Sequence, residues 1–200
     1  MKKLFGIIGE GVGGYETFTW ACEYPDEMEF IIVFTSSFKT NGYRYVISKV
    51  YESIIESSDD FYKESYSESL SRILVSINKI AYSNYFSKRI FQEMSNDEID
   101  VLMDEFVDKG LFMDIYDLKF RNDAVLKYDV EDKLKDIKAK ALIITPSDDL
   151  YFSPVYDTLP LKYLIEDSKI IVLESKKHYL DEEDYSSAEE DVRQFLKQFE

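Results

Sequence analysis

The sequence predicts an α/β fold built on a parallel sheet, and three observations support this prediction. Short apolar runs, typical of buried strands, stand near both ends of the 200-residue chain. The first run is followed by a glycine turn and then a helical segment, which is the order of a βαβ unit. Between the two ends, apolar residues adopt the spacing of helices. The pattern therefore predicts a parallel sheet with a mostly helical insertion.

The first forty residues contain the predicted βαβ unit. Residues 4–8 and 30–34 are apolar throughout, as expected of strands buried on both faces of a parallel sheet. Residues 18–24 form an apolar-rich segment that stops at Pro25, which predicts a helix between the strands.

The middle of the chain predicts helices. One helical stripe comprises Leu70, Ile73, Leu74, Ile77 and Ala81. Ser95 and Glu98 have the spacing of a capping box, and Gly110 stands where a glycine would follow the end of that helix. We predict a single domain over residues 1–200, in which residues 1–40 and 111–200 form the sheet core and residues 41–110 a helical cap.

The α/β pattern resumes after Lys140. Residues 141–145 and 169–173 predict two further strands, and residues 154–166 predict a helix between them. Apolar residues at helical spacing near the C-terminus predict a final helix, and the acidic run 181–184 predicts a solvated loop or a helix start.

Composition excludes several classes of function. The formal net charge of −16 argues against a nucleic-acid partner, because binding to phosphates relies on clustered Lys and Arg. No stretch approaches the ~20 apolar residues of a membrane span, so we expect no membrane partner. Cys22 is the single cysteine, which predicts a small core residue and a reducing, cytoplasmic setting. No bound cofactor or metal is expected.

The glycine turn has two competing interpretations. Gly9, Gly11 and Gly14 satisfy the G-x-G-x-x-G pattern of a dinucleotide-binding loop, in which backbone amides hold a pyrophosphate. That mechanism also needs an acidic residue at the end of the second strand. The second strand here ends in Thr35, Ser36 and Ser37, so the acid is absent from the sequence at that place.

The alternative interpretation is a nucleophile elbow, G-x-S-x-G, with Gly11 in place of the central serine. The centre of such a turn has positive φ, which costs a serine about 1–3 kcal/mol and costs a glycine little. Glycine would therefore preserve the turn and remove the nucleophile.

The sequence around this turn resembles the homoserine O-acetyltransferase-like branch of the α/β-hydrolases. The resemblance rests on residues 9–14, then Trp20-Ala21 and Tyr24-Pro25-Asp26, and later on residues 128–130, 137–144 and 149–154. It implies an α/β-hydrolase fold, here truncated, with about four parallel strands, flanking helices and a helical cap.

The resemblance also implies the remaining site residues. Asp149 lies in a D-x-x-F-x-P loop that matches the family's triad acid, with the adjacent Asp148 as a competing candidate. His178 follows a predicted strand in the place of the triad histidine. Asp149 and His178 would thus be the remnant acid and base, and Gly11 the position of the lost nucleophile. The order of elbow, acid and histidine is that of hydrolase-fold enzymes.

Two departures from the family pattern suggest impaired catalysis. The nucleophile is absent, and the predicted first strand lies so close to residue 1 that the family's oxyanion-hole loop has no counterpart before it. We expect a catalytically impaired or vestigial protein. Alternatives are an acyltransferase or esterase completed by a partner chain, with acetyl-CoA as acyl donor if the family activity persists, and a dinucleotide-binding module. An uncovered first strand predicts a homodimer or a complementary N-terminal chain.

Overall fold

The computed structural model describes residues 3–63 and 68–200, which divide into two compact units. The sheet unit comprises Met1–Lys39 and Tyr128–Glu200, and the helical unit comprises Thr40–Lys127. The helical unit thus extends about one helix beyond the predicted end near residue 110. The interpretation of residues 1–200 as one domain stays a prediction.

The strands of the sheet unit pair in parallel, which confirms the predicted fold class. Within the described residues they form one four-stranded sheet in the order β1-β2-β3-β4. The strands are β1 (Leu4–Glu10), β2 (Met28–Phe34), β3 (Lys140–Pro146) and β4 (Ser168–Leu173). Because sheet order follows chain order, β1 and β4 are the two edges.

Helices occupy most of the remaining chain. The α-helices are α1 (Val12–Glu23), α2 (Gly42–Glu56), α3 (Glu68–Tyr82), α4 (Lys88–Glu93), α5 (Asn96–Gly110), α6 (Ile115–Leu126), α7 (Leu161–Leu164) and α8 (Glu182–Leu196). Short 3-10 helices cover Asp59–Tyr62, Glu131–Asp136 and Lys197–Phe199, and a π-helix covers Pro154–Thr158. No helix within the described ranges combines the length and apolar character needed to cross a membrane.

The two central strands are buried on both faces, as their continuous apolar sequences predict. On one face, Ile31 and Ile143 pack in a cluster with Phe18 of α1. On the other face, Ile32 and Leu142 pack with Phe195 and other residues of α8. Helices on both faces thus fix the sheet from which the loops of the candidate site emerge.

The helical unit has its own core, built from the predicted stripe of α3. Leu70, Ile73, Leu74 and Ile77 are buried and pack with Ile55, Ile115 and other apolar residues from α2 and α6. The capping box between Ser95 and Glu98 is present at the start of α5. The capping box is confirmed, as are four members of the predicted stripe, whereas its fifth member, Ala81, is only half-buried.

Gly110 differs from its predicted role. It is the last residue of α5 rather than the residue beyond it, and Leu111 follows with a right-handed φ of −68°. A Cβ on Gly110 would lie 2.1 Å from Asn78 Oδ1 in α3. Close approach of two helices, and not a left-handed turn, is therefore what requires glycine here.

The helix predicted over residues 154–166 is broken into two short pieces, the π-helix and α7. Pro160 lies between them and has no backbone N–H to donate to the preceding turn. Instead, the N–H of Leu159 donates to the carbonyl of Pro154 at 2.8 Å, five residues earlier.

Gly9→Ala should destabilise the protein by about 1–3 kcal/mol through overpacking. A Cβ at Gly9 would lie 2.2 Å from the backbone oxygen of Gly13 and 2.3 Å from Thr17 Oγ1. Gly13→Ala is the matched control, because no heavy atom of the described sheet unit lies within 4 Å of its Cβ. Urea denaturation should show unchanged or higher stability for that control, as alanine favours helix by up to about 1 kcal/mol. Equal losses in both variants would contradict the packing argument.

Candidate active site

The turn between β1 and α1 has the backbone conformation of a nucleophile elbow. Gly11 has φ 54° and ψ −117°, which confirms the positive φ predicted at this residue. An L-residue held there is strained, whereas glycine adopts such angles freely. The sequence and the backbone therefore agree on glycine at the centre of this turn.

Hydrogen bonds from the neighbouring strand hold the turn in place. The N–H of Gly11 donates to the carbonyls of Phe34 at 3.2 Å and Thr35 at 3.1 Å. The hydroxyl of Ser36 donates to the carbonyl of Gly11 at 2.7 Å. Thr35 in turn donates its N–H to Ile144 of β3 at 2.9 Å. The carboxyl ends of three strands are thus joined at the elbow.

Thr35 carries a second unusual conformation at this edge of the sheet. Its φ of 43° is the one positive φ of a non-glycine residue among the described positions, and its side chain is buried. A β-branched residue with positive φ is a genuine outlier, with a cost of about 1–3 kcal/mol. Sequence reasoning missed it, because threonine carries no mark of a left-handed turn.

Asp149 is the aspartate that lies beside His178. Its side chain is 0% exposed, and Oδ1 accepts the backbone N–H groups of Tyr151 at 2.7 Å and Phe152 at 3.0 Å. Its other oxygen, Oδ2, lies 3.0 Å from Nδ1 of His178. The competing candidate Asp148 is exposed. The structure therefore pairs the histidine with the carboxylate that the D-x-x-F-x-P register favoured.

Three aromatic rings fix the imidazole of His178. The ring centroids of Tyr151, Phe152 and Tyr179 lie 5.0, 5.3 and 4.6 Å from it. A carboxylate beside Nδ1 assigns the proton to that nitrogen and leaves Nε2 as a proton acceptor. His178 is thus oriented and polarised as a general base requires.

Phe152 connects the histidine to the elbow helix. Its ring lies 6.1 Å from that of Tyr15, whose backbone N–H bonds to the carbonyl of Gly11 at 3.4 Å. Tyr15 also stacks on Tyr128 at 3.9 Å with nearly parallel planes. Sequence reasoning did not assign Tyr15 a role, although its place in the first turn after the elbow was a usable signal.

Glu10, beside the turn, has a hydrogen-bond partner, and Cys22, near the C-terminal end of α1, is buried. The carboxylate of Glu10 accepts a hydrogen bond from the hydroxyl of Tyr185 at 2.7 Å. Burial, followed by this hydrogen bond, raises the pKa of Tyr185. Cys22 lies in the core, where burial raises the pKa of its thiol to about 11. The thiol therefore stays protonated near neutral pH, and a core role for Cys22 fits the structure.

The end of β2 bears on the dinucleotide interpretation. Ser36 bonds to the elbow, and the hydroxyl of Ser37 donates to a carboxylate oxygen of Asp157 at 3.2 Å. Asp157 is buried and comes from the π-helix, far along the chain. It does not occupy the sequence position of a ribose-binding acid. Nucleotide binding through Gly9, Gly11 and Gly14 stays a prediction.

Known proteins similar to this chain include acyltransferases. A protein of Methanothermobacter thermautotrophicus named "Probable acyltransferase" is 33% identical over 180 residues, which is 90% of this chain and 56% of that protein. Homoserine O-succinyltransferase of Acinetobacter baylyi is 24% identical over 157 residues, covering 77% of this chain and 38% of that enzyme. No protein-family model matches the sequence.

The fold is shared with solved structures. Homoserine O-acetyltransferase of Bacillus anthracis superposes with a TM-score of 0.86 and 18% identity, over 98% of this chain and 60% of that one. The chain therefore has the α/β-hydrolase fold. Its resemblance to the homoserine O-acetyltransferase-like branch is confirmed by the named relatives. It spans little more than half the length of the first of them.

Asp149→Ala should destabilise the protein by about 1–3 kcal/mol, because the buried N–H of Phe152 and the part-buried N–H of Tyr151 lose their acceptor. Asp148→Ala is the matched control and should change stability by less than about 0.5 kcal/mol, as its side chain is exposed. Urea denaturation measures both effects.

Asp149→Ala should change the tautomer of His178, the single histidine of the chain, and Asp148→Ala should not. We expect ¹⁵N NMR to show the imidazole proton on Nδ1 in the native protein. In Asp149→Ala, the tautomer with the proton on Nε2 should become more populated. A native Nε2–H tautomer would contradict the assigned pairing.

Proposed function

We propose that this chain is a homoserine O-acetyltransferase-like α/β-hydrolase-fold protein that has lost the covalent acyl relay and is therefore catalytically impaired. The observation that carries this proposal is Gly11, which has the backbone geometry of the elbow without a nucleophilic side chain. The pairing of Asp149 with His178 supports descent from a triad site. A cytoplasmic location stays a prediction.

The loss of the relay has a chemical consequence. In a triad enzyme, the serine attacks the acyl donor and carries the acyl group to the acceptor. A protein without it cannot form an acyl-serine at residue 11, whichever donor it binds. Acetyl-CoA is the donor expected from the family resemblance, and homoserine the acceptor.

An active acyltransferase or esterase completed by a partner chain is the second candidate. It is favoured by the exposure of β1, an edge strand on which Phe5 and Ile8 are 58% and 63% exposed. Edge strands with exposed apolar side chains are association sites, because their backbone groups and side chains can both gain a partner. A second copy, or a complementary chain, would then cover this edge.

The native protein should not react with a fluorophosphonate probe at residue 11, whereas Gly11→Ser should become labelled there. The expected label follows from the space available: no heavy atom of the described sheet unit lies within 4 Å of a Cβ built on Gly11. Intact-mass and peptide mass spectrometry identify the modified residue. Gly13→Ser, which adds a hydroxyl to the same turn outside the elbow centre, should stay unlabelled.

Turnover gives an independent measurement. The native chain incubated with acetyl-CoA and homoserine should form no O-acetylhomoserine above the protein-free control. A clear rate of transfer would overturn the proposed catalytic impairment, and an acylated native protein would overturn the proposal of a lost relay.

If a partner covers β1, size-exclusion chromatography with light scattering should show a mass above that of the 23.5 kDa chain. Ile8→Lys should reduce that mass toward the monomer, because a charge would be buried at the new contact. Tyr163→Lys is the control: this residue is 88% exposed on α7, away from the edge. A monomeric native protein with no co-purifying chain would remove the second candidate.

A further inference from the structure

The elbow has open space where a serine side chain would stand. Although Gly11 has no side chain, its N–H and carbonyl are both held by hydrogen bonds from the end of β2. Within the described sheet unit, no heavy atom lies within 4 Å of a Cβ placed on this residue. The turn therefore keeps its shape while the hydroxymethyl group that would fill this space is absent.

A proton acceptor is available at the same end of the sheet, where the carboxyl ends of the strands lie. Asp149 holds Nδ1 of His178, so Nε2 is free to accept a proton. Gly11 follows β1 and Asp149 follows β3, two strands apart, which is about 10 Å at the usual strand spacing. The imidazole and the first turn of α1 both contact the ring of Phe152, which places the base beside the elbow.

The elbow also offers stabilisation for an oxyanion. The first N–H groups of a helix have no partner within the helix, and α1 is twelve residues long and begins directly after Gly11. An acyl oxygen near Val12 would meet these N–H groups and the positive end of the helix dipole. Three parts of such a site are thus present without the serine. They are the base His178, the open space at Gly11 and N–H donors for the oxyanion.

We infer that this chain hydrolyses activated carboxylic esters by direct attack of water, with His178 as general base. The inference rests on the proposed loss of the covalent relay at Gly11. It adds an activity, single displacement without an acyl-enzyme, and a substrate class, short acyl esters with good leaving groups. A small alcohol can take the place of water, because methanol contains the same heavy atoms as the missing hydroxymethyl group.

The bonds of the reaction balance in two steps. Nε2 of His178 removes a proton from water while the water oxygen bonds to the acyl carbon, which gives a tetrahedral oxyanion. Collapse of this intermediate breaks the bond to the leaving oxygen, which receives the proton from the imidazolium. The products are a carboxylic acid and an alcohol, or a methyl ester and an alcohol when methanol attacks.

The test uses the purified chain with p-nitrophenyl acetate as the probe, with and without added methanol. We expect slow release of p-nitrophenolate that falls about 10²-fold or more in His178→Gln, since general-base catalysis contributes that much. Methanol should raise the rate and yield methyl acetate, measured by gas chromatography. Ester formation at the level of the His178→Gln background would overturn the inference.

Two variants localise the effect. Gly11→Ala adds a methyl group at the centre of the elbow and should abolish the methanol effect. Tyr163→Ala changes a residue that is 88% exposed on α7, outside the proposed site, and should leave both rates unchanged. Circular dichroism and thermal unfolding establish that each variant is folded. The native methanol experiment decides the question even if Gly11→Ala unfolds.

Failure of this inference is distinguishable from failure of the proposed function. An acylated protein found after rapid quenching and mass spectrometry would show a covalent relay; acylation of His178 would show that the imidazole itself attacks. Either result overturns single displacement. An unmodified protein that releases p-nitrophenolate no faster than His178→Gln would overturn the water mechanism alone and leave the lost relay standing.

Discussion

Gly11 donates its backbone N–H to the carbonyls that end β2, and Thr35 donates in turn to Ile144 of β3. These bonds continue the parallel pairing of the sheet for one step beyond its strands. The elbow at Gly11, the loop of Asp149 after β3 and the loop of His178 after β4 all begin at the carboxyl ends of the strands. Their mutual positions therefore depend on these bonds. The positive φ of Thr35 is the conformational cost of this continuation, whereas Gly11 adopts its positive φ freely.

Asp149 links the stability of the site to its chemistry. One oxygen of its carboxylate accepts two backbone N–H groups of its own loop, and the other faces His178. The first role stabilises the loop whether or not any reaction takes place. Under the proposed loss of the nucleophile, this structural role gives a physical reason for the pair to persist. The proposed hydrolysis uses the second role, which the loop geometry preserves.

The exchange of serine for glycine is compatible with this fold for a related reason. A side chain at residue 11 is not needed to hold the turn, because the backbone bonds from β2 and the hydroxyl of Ser36 do so. The packing that does constrain this region involves Gly9 and Gly14, where an added Cβ would meet atoms at 2.2 and 2.3 Å. Packing therefore requires glycine at residues 9 and 14, whereas only covalent catalysis would require serine at residue 11.

Much of the fold could be predicted from local pattern. Continuous apolar runs gave all four strands of the described sheet, because strands buried on both faces have no polar side. The two errors have different causes. Gly110 serves close packing against α3 rather than a turn, and residue spacing does not encode that neighbour. The helix predicted over 154–166 is divided at Pro160, whose missing backbone N–H was itself a local signal of a break.

For the candidate site, the residue pattern was enough to select Gly11, Asp149 and His178 as candidates. The pairing of His178 with Asp149 and not with Asp148 became visible in the fold, because the two aspartates are adjacent and the loop buries one of them. It also revealed the strained backbone of Thr35 and the contact of Tyr15 with Phe152. Burial and contact join residues distant along the chain, and local sequence carries no direct record of them.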